Sequence, residues 1–224
     1  MNSNIARDDL IEAIHGCGSD DAEFFGYPVD PDGLYLQQDP QEYADFVGFM
    51  ANECPPSQLS IEIGIASGGQ TKFLRDYYSV NKTIVVDIGQ HPNHHHWPRI
   101  KPLVKTEFVA EIIDDSHSSR VREQLMPWAR QIDFAFVDGD HSYRGLKKDM
   151  FLMKELLQPN AICALHDTTA VPDCAKVFEE MKRSDDFELL RNFDNRFGIS
   201  VWRYTGTGKS NVNAINRWFG MGAL

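Results

Sequence analysis

The chain has 224 residues and a formal charge of −11 at pH 7. That length can bury one large core, and 42% hydrophobic with 25% charged residues marks a globular chain rather than a disordered one. The acidic balance repels phosphate polymers, which argues against nucleic acid as the main partner. No run approaches the ~18 apolar residues of a membrane span, and residues 1–10 carry two aspartates and no apolar stretch of a signal peptide. A soluble, cytoplasmic protein is the expectation. Cysteines at 17, 54, 163 and 174 form no CxxC pair; Cys163 lies in an apolar strand-like run and Cys174 in a helical one, so buried free thiols are expected.

Residues 1–39 are polar and rich in turn formers, with Gly, Asp and Pro crowding 16–21 and 27–33, and read as a cap or lid with little structure of its own. From Pro40 the pattern changes. Asp39 suits an N-cap, Pro40 a first helical position, and Tyr43, Phe46, Val47 and Met50 recur at helical spacing until Pro55-Pro56 ends the helix. Then elements alternate: strand 59–63, helix 68–78, strand 83–87, a weaker strand 108–113, helix 116–126, strand 132–137, amphipathic helix 144–157, strand 161–165 and helix 173–182. The last two strands, 187–191 and 198–203, are separated by about six residues, too few for a parallel crossover. The whole predicts an α/β fold: a Rossmann-like, mostly parallel seven-stranded sheet with helices on both faces and an antiparallel C-terminal hairpin. Residues 40–204 form the main domain in this reading, and 205–224 a tail.

Two clusters carry chemistry. The strand ending at Ile63 runs through Glu62-Ile-Gly64-Ile-Ala-Ser67-Gly68-Gly69 into a helix, where glycine permits close backbone approach and the helix start presents free N–H groups. Such a turn receives a pyrophosphate or the carboxylate of a methionine moiety. Asp87, ending the next strand 23 residues after Gly64, is placed to accept ribose hydroxyls. A dinucleotide fingerprint would want glycines at 64, 66 and 69, but residue 66 is Ala. Glu62 would burden a pyrophosphate, whereas it suits a cofactor bearing an ammonium and a sulfonium. The second cluster ends strands four and five, in Val137-Asp138-Gly139-Asp140-His141-Ser142-Tyr143 and Leu165-His166-Asp167-Thr168. Carboxylates converging there repel unless a cation lies between them. Asp138 and Asp167, supplemented by His166 or Thr168, make a candidate site for Mg²⁺ or another divalent ion. Helix capping is the alternative use, but Asp138 and Asp140 stand too close for both to be caps.

With Val85-Val86-Asp87 between them, these motifs in this order resemble the class I S-adenosylmethionine-dependent methyltransferases over roughly residues 40–203. Within that superfamily they are most similar to the metal-dependent small-molecule O-methyltransferases, the branch of the catechol and caffeoyl-CoA enzymes, the macrocin-type enzymes and the cephalosporin-hydroxylase-like proteins. The resemblance implies S-adenosylmethionine held by Glu62, Gly64, Ser67, Gly68, Asp87 and Asp138, with Asp115-Ser116 near the adenine. It implies metal-ligand roles for Asp138 and Asp167, with His166 beside them, and a proton acceptor at Asp140 or His141. It also implies in-line methyl transfer to a small-molecule hydroxyl. Catechol-type enzymes carry Asp-Asn at the last metal pair, where this chain has Asp167-Thr168.

An NAD(P)-dependent oxidoreductase is the competing enzyme class, opposed by Ala66, Glu62 and the closing hairpin; a metal-independent methyltransferase and a non-catalytic cofactor-binding protein also stay open. The histidines at 91, 94, 95 and 96 read as a solvated loop bordering the cofactor or acceptor. Gly206-Thr-Gly208-Lys-Ser210 imitates the end of a P-loop, but the required first glycine is Arg203. Trp218 and Phe219 suit either the core or a sister subunit in a homo-oligomer.

Overall fold

The computed structural model describes residues 5–19 and 26–206. The C-terminal P-loop-like run beyond Gly206 and the aromatic tail at Trp218 and Phe219 lie outside the described residues. Helices α1 (Arg7–His15) and α2 (Pro40–Glu53) precede the first strand. The alternating body follows: β1 (Ser57–Ile63), α3 (Gly69–Tyr77), β2 (Val80–Asp87), a short α4 (Trp97–Ile100), β3 (Glu107–Ile113), α5 (Ser119–Leu125), β4 (Ile132–Val137), α6 (Tyr143–Leu156), β5 (Leu157–Leu165), α7 (Pro172–Met181), β6 (Phe187–Phe193) and β7 (Ile199–Tyr204). The seven strands form one sheet in the order β3-β2-β1-β4-β5-β7-β6. β1 to β5 are parallel, and β7 inserts antiparallel between β5 and β6. The expected fold class holds, including the hairpin, because a turn of five residues between β6 and β7 cannot reverse the chain twice.

Alternation along the strands divides the core. On β4, Phe134 and Phe136 face one layer while Ala135 and Val137 face the other. The first layer packs on α1, α2 and α3 through Leu10, Ile14, Tyr43, Phe46, Met50 and Phe73. The second packs on α5, α6 and α7 through Val121, Leu146, Met150, Met153, Val177 and Met181. Cys163 and Cys174 are buried and all four cysteines are free. Among the described residues, no helix is long and apolar enough to cross a membrane.

The first 39 residues depart from the reading of them as almost unstructured. Leu10 and Ile14 recur at i, i+4, give α1 an apolar stripe, and bury it in the core beside α2. The chain then crosses the start of α3 as a strap, 27–38. Arg99 pins it by donating to the Asp32 and Gly33 carbonyls at 2.6 and 2.7 Å. Ser67 Oγ donates to the Leu34 carbonyl at 2.9 Å, and Tyr27 Oη to that of Gln38 at 2.7 Å. The strap lies so close that a Cβ on Gly69 would collide with the Leu34 carbonyl.

Beneath the strap, the fold contains a fully buried ion pair. Arg75 Nη1 lies 2.8 Å from Glu62 Oε2 with both side chains 0% exposed. Thr71 Oγ1 donates to Glu62 Oε1 at 2.8 Å, and Arg75 Nη2 donates to Thr83 Oγ1 at 3.0 Å. The network ties β1, β2 and α3 together. Removing one partner strands the other charge, so Arg75→Met should cost about 3–5 kcal/mol of folding stability, and adding Glu62→Met should recover much of it. Urea denaturation of the single and double variants checks this.

Candidate functional site

In a parallel sheet the strands deliver their carboxyl ends to one edge, and crevices form there. A cavity of about 530 Å³ opens along that edge. Its floor is Ile63, Gly64, Ile65 and Ala66 after β1, with Val86 and Asp87 ending β2; Asp114 to His117 follow β3, and Asp138 to His141 follow β4. The strap supplies a wall through Tyr35, Gln37 and Gln38.

At the β1 turn the expected residues divide. Gly64 lines the cavity with φ +83°, and a Cβ there would strike the Asp138 carbonyl oxygen, so only glycine lets β1 and β4 meet. Ala66, standing where a dinucleotide fingerprint has glycine, adopts the left-handed backbone all the same, at φ 45°. Ser67 lines the cavity, but its hydroxyl is engaged by the strap and by Gly69 N–H at 3.0 Å. Gly68 is not a lining residue: its Cα presses on the Trp97 ring, which explains the glycine by packing. Glu62 also differs from its expected place beside the cofactor. It is turned into the core toward Arg75, because α3 supplies a cation on the far side of β1.

Asp87 ends β2 as expected and accepts backbone N–H groups from Ile65 at 2.7 Å, Ala66 at 3.1 Å and Gly89 at 2.6 Å. It thereby shapes the turn it faces while still lining the cavity. Beyond β3, Asp115 and Ser116 line the cavity's other end. Ser116 Oγ donates at 2.7 Å to Asp149, a fully buried carboxylate on α6, and His117 Nε2 lies 3.2 Å from the same oxygen. Of the four histidines at 91–96, His91 lines the cavity and His96 stacks on Tyr35 at 3.7 Å, so the loop borders the site as expected.

At the ends of β4 and β5, Asp138, His141 and Asp167 bring one ligand atom each within 4.8 Å of one another, an arrangement able to hold a metal ion. His141 bridges the acids, with Nε2 3.2 Å from Asp138 Oδ1 and Nδ1 3.2 Å from Asp167 Oδ2. His141 rather than His166 thus completes this three-residue group. His166, buried against Phe197, turns Nδ1 toward the same two carboxylates at 3.3 and 3.5 Å. Thr168 is buried nearby, its N–H donating to the Gly198 carbonyl. Asp167 sits at φ 59°, a conformation strained for a residue with a side chain, which aims its carboxylate into this cluster. Asp140 accepts the Ser142 N–H at 2.8 Å, while Ser142 itself caps α6; Asp138 caps nothing.

The electrostatics follow from these contacts. Burial opposes the Asp138 anion, but His166 and His141 together overcome it and hold the carboxyl well below its usual range. Burial also opposes the His166 cation, yet Asp138 and Asp167 push it up to about 10. The hydrogen bond to Asp138 raises His141 despite partial burial. Burial disfavours the Asp140 anion, and hydrogen bonds from Ser142 more than compensate.

Sequence reasoning missed Tyr35, Gln37, Gln38, Gln70 and His117 as lining residues and Asp149 as a support. Gln70, at the second position of α3, carried a signal in its place at the helix start. The strap residues carried none, because only the fold-back over α3 brings them in.

A His raised above its unfolded value of 6.5 adds stability that is fully present below that pH and is lost as pH climbs toward about 10. A depressed Asp138 adds stability above its ordinary 3.8 that is lost on acidification. In chelator-treated protein the melting temperature should therefore fall between about pH 6.5 and 10, and His166→Gln should flatten that fall. Melting curves across this range check both.

Comparison with known proteins agrees with the geometry. Residues 61–168, from the last residues of β1 to just beyond β5, match a family model described as "Methyltransferase domain". No curated protein matches the chain in sequence. Among solved structures, the N-methyltransferase NodS from Bradyrhizobium japonicum WM9 in complex with S-adenosyl-l-homocysteine is similar with a TM-score of 0.56 at 13% identity, over 79% of this chain and 94% of that one. The O-methyltransferase TomG from Streptomyces achromogenes, in complex with SAM, gives 0.54 at 13% identity, over 78% and 83%. An O-methyltransferase from Bacillus cereus in complex with SAH gives 0.52 at 12% identity, over 92% and 93%. Residues 61–168, just under half of the chain, thus resemble a methyltransferase domain, and the described residues share the Rossmann-like fold of these structures.

Proposed function

We propose that this chain is a methyltransferase that takes its methyl group from S-adenosylmethionine and passes it to a hydroxyl oxygen of a small-molecule acceptor, assisted by a divalent cation. The observation that carries the cofactor is the charge of the cavity. Among the described residues, Asp87, Asp114, Asp115, Asp138 and Asp140 line it, and no Lys or Arg does. A dinucleotide would bring a pyrophosphate into that field, whereas a sulfonium and an ammonium against one carboxylate leave a net positive ligand. This replaces the expectation based on Glu62, whose charge Arg75 already meets.

In this reading Asp115, Ser116 and His117 flank the adenine, Asp87 accepts from the ribose, and Gly64 lets the cofactor lie against the backbone. A hydroxyl is a poor nucleophile until it loses its proton, and Asp140 stands at the cavity as the acceptor, while His141, both of whose ring nitrogens face carboxylates, stays with the acid cluster. The remaining contribution of the walls is alignment, since displacement at the methyl carbon requires donor and acceptor in line. Asp138, His141 and Asp167 fit a divalent ion, which when bound would lower the pKa of an acceptor oxygen. Mg²⁺ suits the carboxylates, and the imidazole extends the candidates to Mn²⁺ and similar ions. TomG and the Bacillus cereus protein, both named O-methyltransferases, support oxygen as the acceptor atom.

One observation favours a second reading, metal-independent transfer. His166 already supplies positive charge between the two carboxylates, so they need no metal to coexist. Transfer from S-adenosylmethionine to a panel of phenols and sugars, with and without EDTA, separates the two. On the first reading EDTA abolishes turnover and added Mg²⁺ or Mn²⁺ restores it. Asp167→Ala should also lower turnover by at least 100-fold while S-adenosylhomocysteine binding, measured by calorimetry, stays within a few-fold. Turnover indifferent to EDTA supports the second reading.

A further inference from the structure

Acids are not the only titratable groups at the cavity: among the described residues, His91, His117 and His141 line it too. His141 belongs to the acid cluster, and His91 Nδ1 accepts the Asn93 N–H at 3.1 Å. His117 stands apart from both, between two carboxylates. Its Nε2 lies 3.2 Å from Asp149 Oδ1 and its Nδ1 3.5 Å from Asp115 Oδ1. Asp149, on α6, is 0% exposed, whereas the Asp115 side chain is 52% exposed and lines the cavity. The ring thus joins a charge in the core to a charge on the wall.

A buried carboxylate needs donors, and Asp149 has few. Ser116 Oγ donates to Oδ1 at 2.7 Å, while Oδ2, facing the backbone of Gly139, accepts nothing among the described residues. Asp149 therefore keeps a proton on the Nε2 that faces it, in the charged ring and the neutral one alike. The proton that leaves as pH rises is the one on Nδ1, which faces Asp115. An imidazolium donates to both acids; a neutral ring donates to Asp149 and turns a lone pair toward Asp115. Asp115 then keeps the backbone N–H of His117, donated at 2.9 Å. The surrounding charges favour the imidazolium. Asp149 above all raises His117 over its usual 6.5, against the effect of burial; Asp115 adds to the rise, and Lys148 on α6 opposes it. Asp140, on the turn after β4, also senses the ring, and Arg120 of α5 is turned to Asp114.

We infer that His117 is a proton-dependent clamp on the cavity wall: protonated, it ties Asp115 to the buried Asp149, and neutral, it releases Asp115. Asp149 is then a positioning residue, acting on the wall through His117 and Ser116 without touching a ligand. That this wall receives the nucleoside end of the ligand rests on the S-adenosylmethionine reading; the clamp itself does not.

Two measurements test it. Followed by NMR across about pH 5 to 9, the His117 ring should titrate above 6.5 in the unaltered protein. Asp149→Asn and Asp115→Ala should each move that titration down, Asp149→Asn further. Asp115 is half exposed, so Asp115→Ala keeps the test open should Asp149→Asn unfold. Calorimetry with 5′-methylthioadenosine, which has no group of its own titrating in this range, reads the wall. Its affinity should fall about three- to tenfold as pH rises through the His117 titration. Asp149→Asn should shift the fall to lower pH, and His117→Gln and Asp115→Ala should flatten it. His117→Gln leaves His91 and His141 in place, so their contribution stays in the comparison. A His117 titration indifferent to Asp115→Ala overturns the clamp, whatever binds. A fall in affinity that persists in His117→Gln, or that does not follow the ring's titration, overturns its role at the site. Failure of the unaltered protein to bind both 5′-methylthioadenosine and S-adenosylhomocysteine overturns the cofactor reading, and the NMR titration then decides the clamp alone.

Discussion

Five parallel strands discharge at one edge of the sheet, and in this chain that edge is acidic. Asp87, Asp114, Asp115, Asp138, Asp140 and Asp167 all stand at or just beyond strand ends. Mutual repulsion would splay them if nothing intervened, and most of the local architecture serves to compensate it. Backbone N–H groups converge on Asp87, Arg120 meets Asp114, and His141 and His166 lie between Asp138 and Asp167. The compensation is incomplete on the cavity side. There Asp87, Asp115, Asp138 and Asp140 face the cavity, a charge pattern that favours a cationic ligand over an anionic one.

Close approach is the second constraint, and it accounts for two cavity-edge glycines by different neighbours. Gly64 yields to the Asp138 carbonyl and so brings β1 against β4, while Gly69 yields to the strap at Leu34. The strap is therefore packed as part of the wall, with Arg99 and Ser67 as its fasteners. A segment that contributes little to the sheet thereby encloses the side of the crevice that the parallel body leaves open.

The cluster at Asp138, His141, His166 and Asp167 sets two imidazoles against two carboxylates. With His166 charged, the two acids share one positive charge; a divalent ion bound there would compete with that proton. The left-handed backbone at Asp167 fixes its carboxylate toward the cluster in either state.

Much of this was legible in the chain. Hydrophobic runs bounded by glycine and proline placed the strands, the short β6–β7 turn required an antiparallel pair, and Asp39 before Pro40 marked the start of α2, where its carboxylate indeed accepts the Gln41 and Glu42 N–H groups. Asp87, Asp138, Asp140 and His141 line the cavity because strand ends in such a sheet share one edge, Gly64 was marked by the turn after β1, and Asp115 was implied by the resemblance. What periodicity could not reveal was the direction and partner of each side chain. Glu62 belongs to the core because Arg75 meets it across β1, Gly68 serves Trp97, and His141 takes the place expected of His166. Gln38 reaches the cavity only through a strap anchored by Arg99, more than 60 residues away in the chain. Local spacing determines which elements form and which of their ends coincide; long-range packing decides where a charge finds its counter-charge, and with it which residues remain free to bind a ligand.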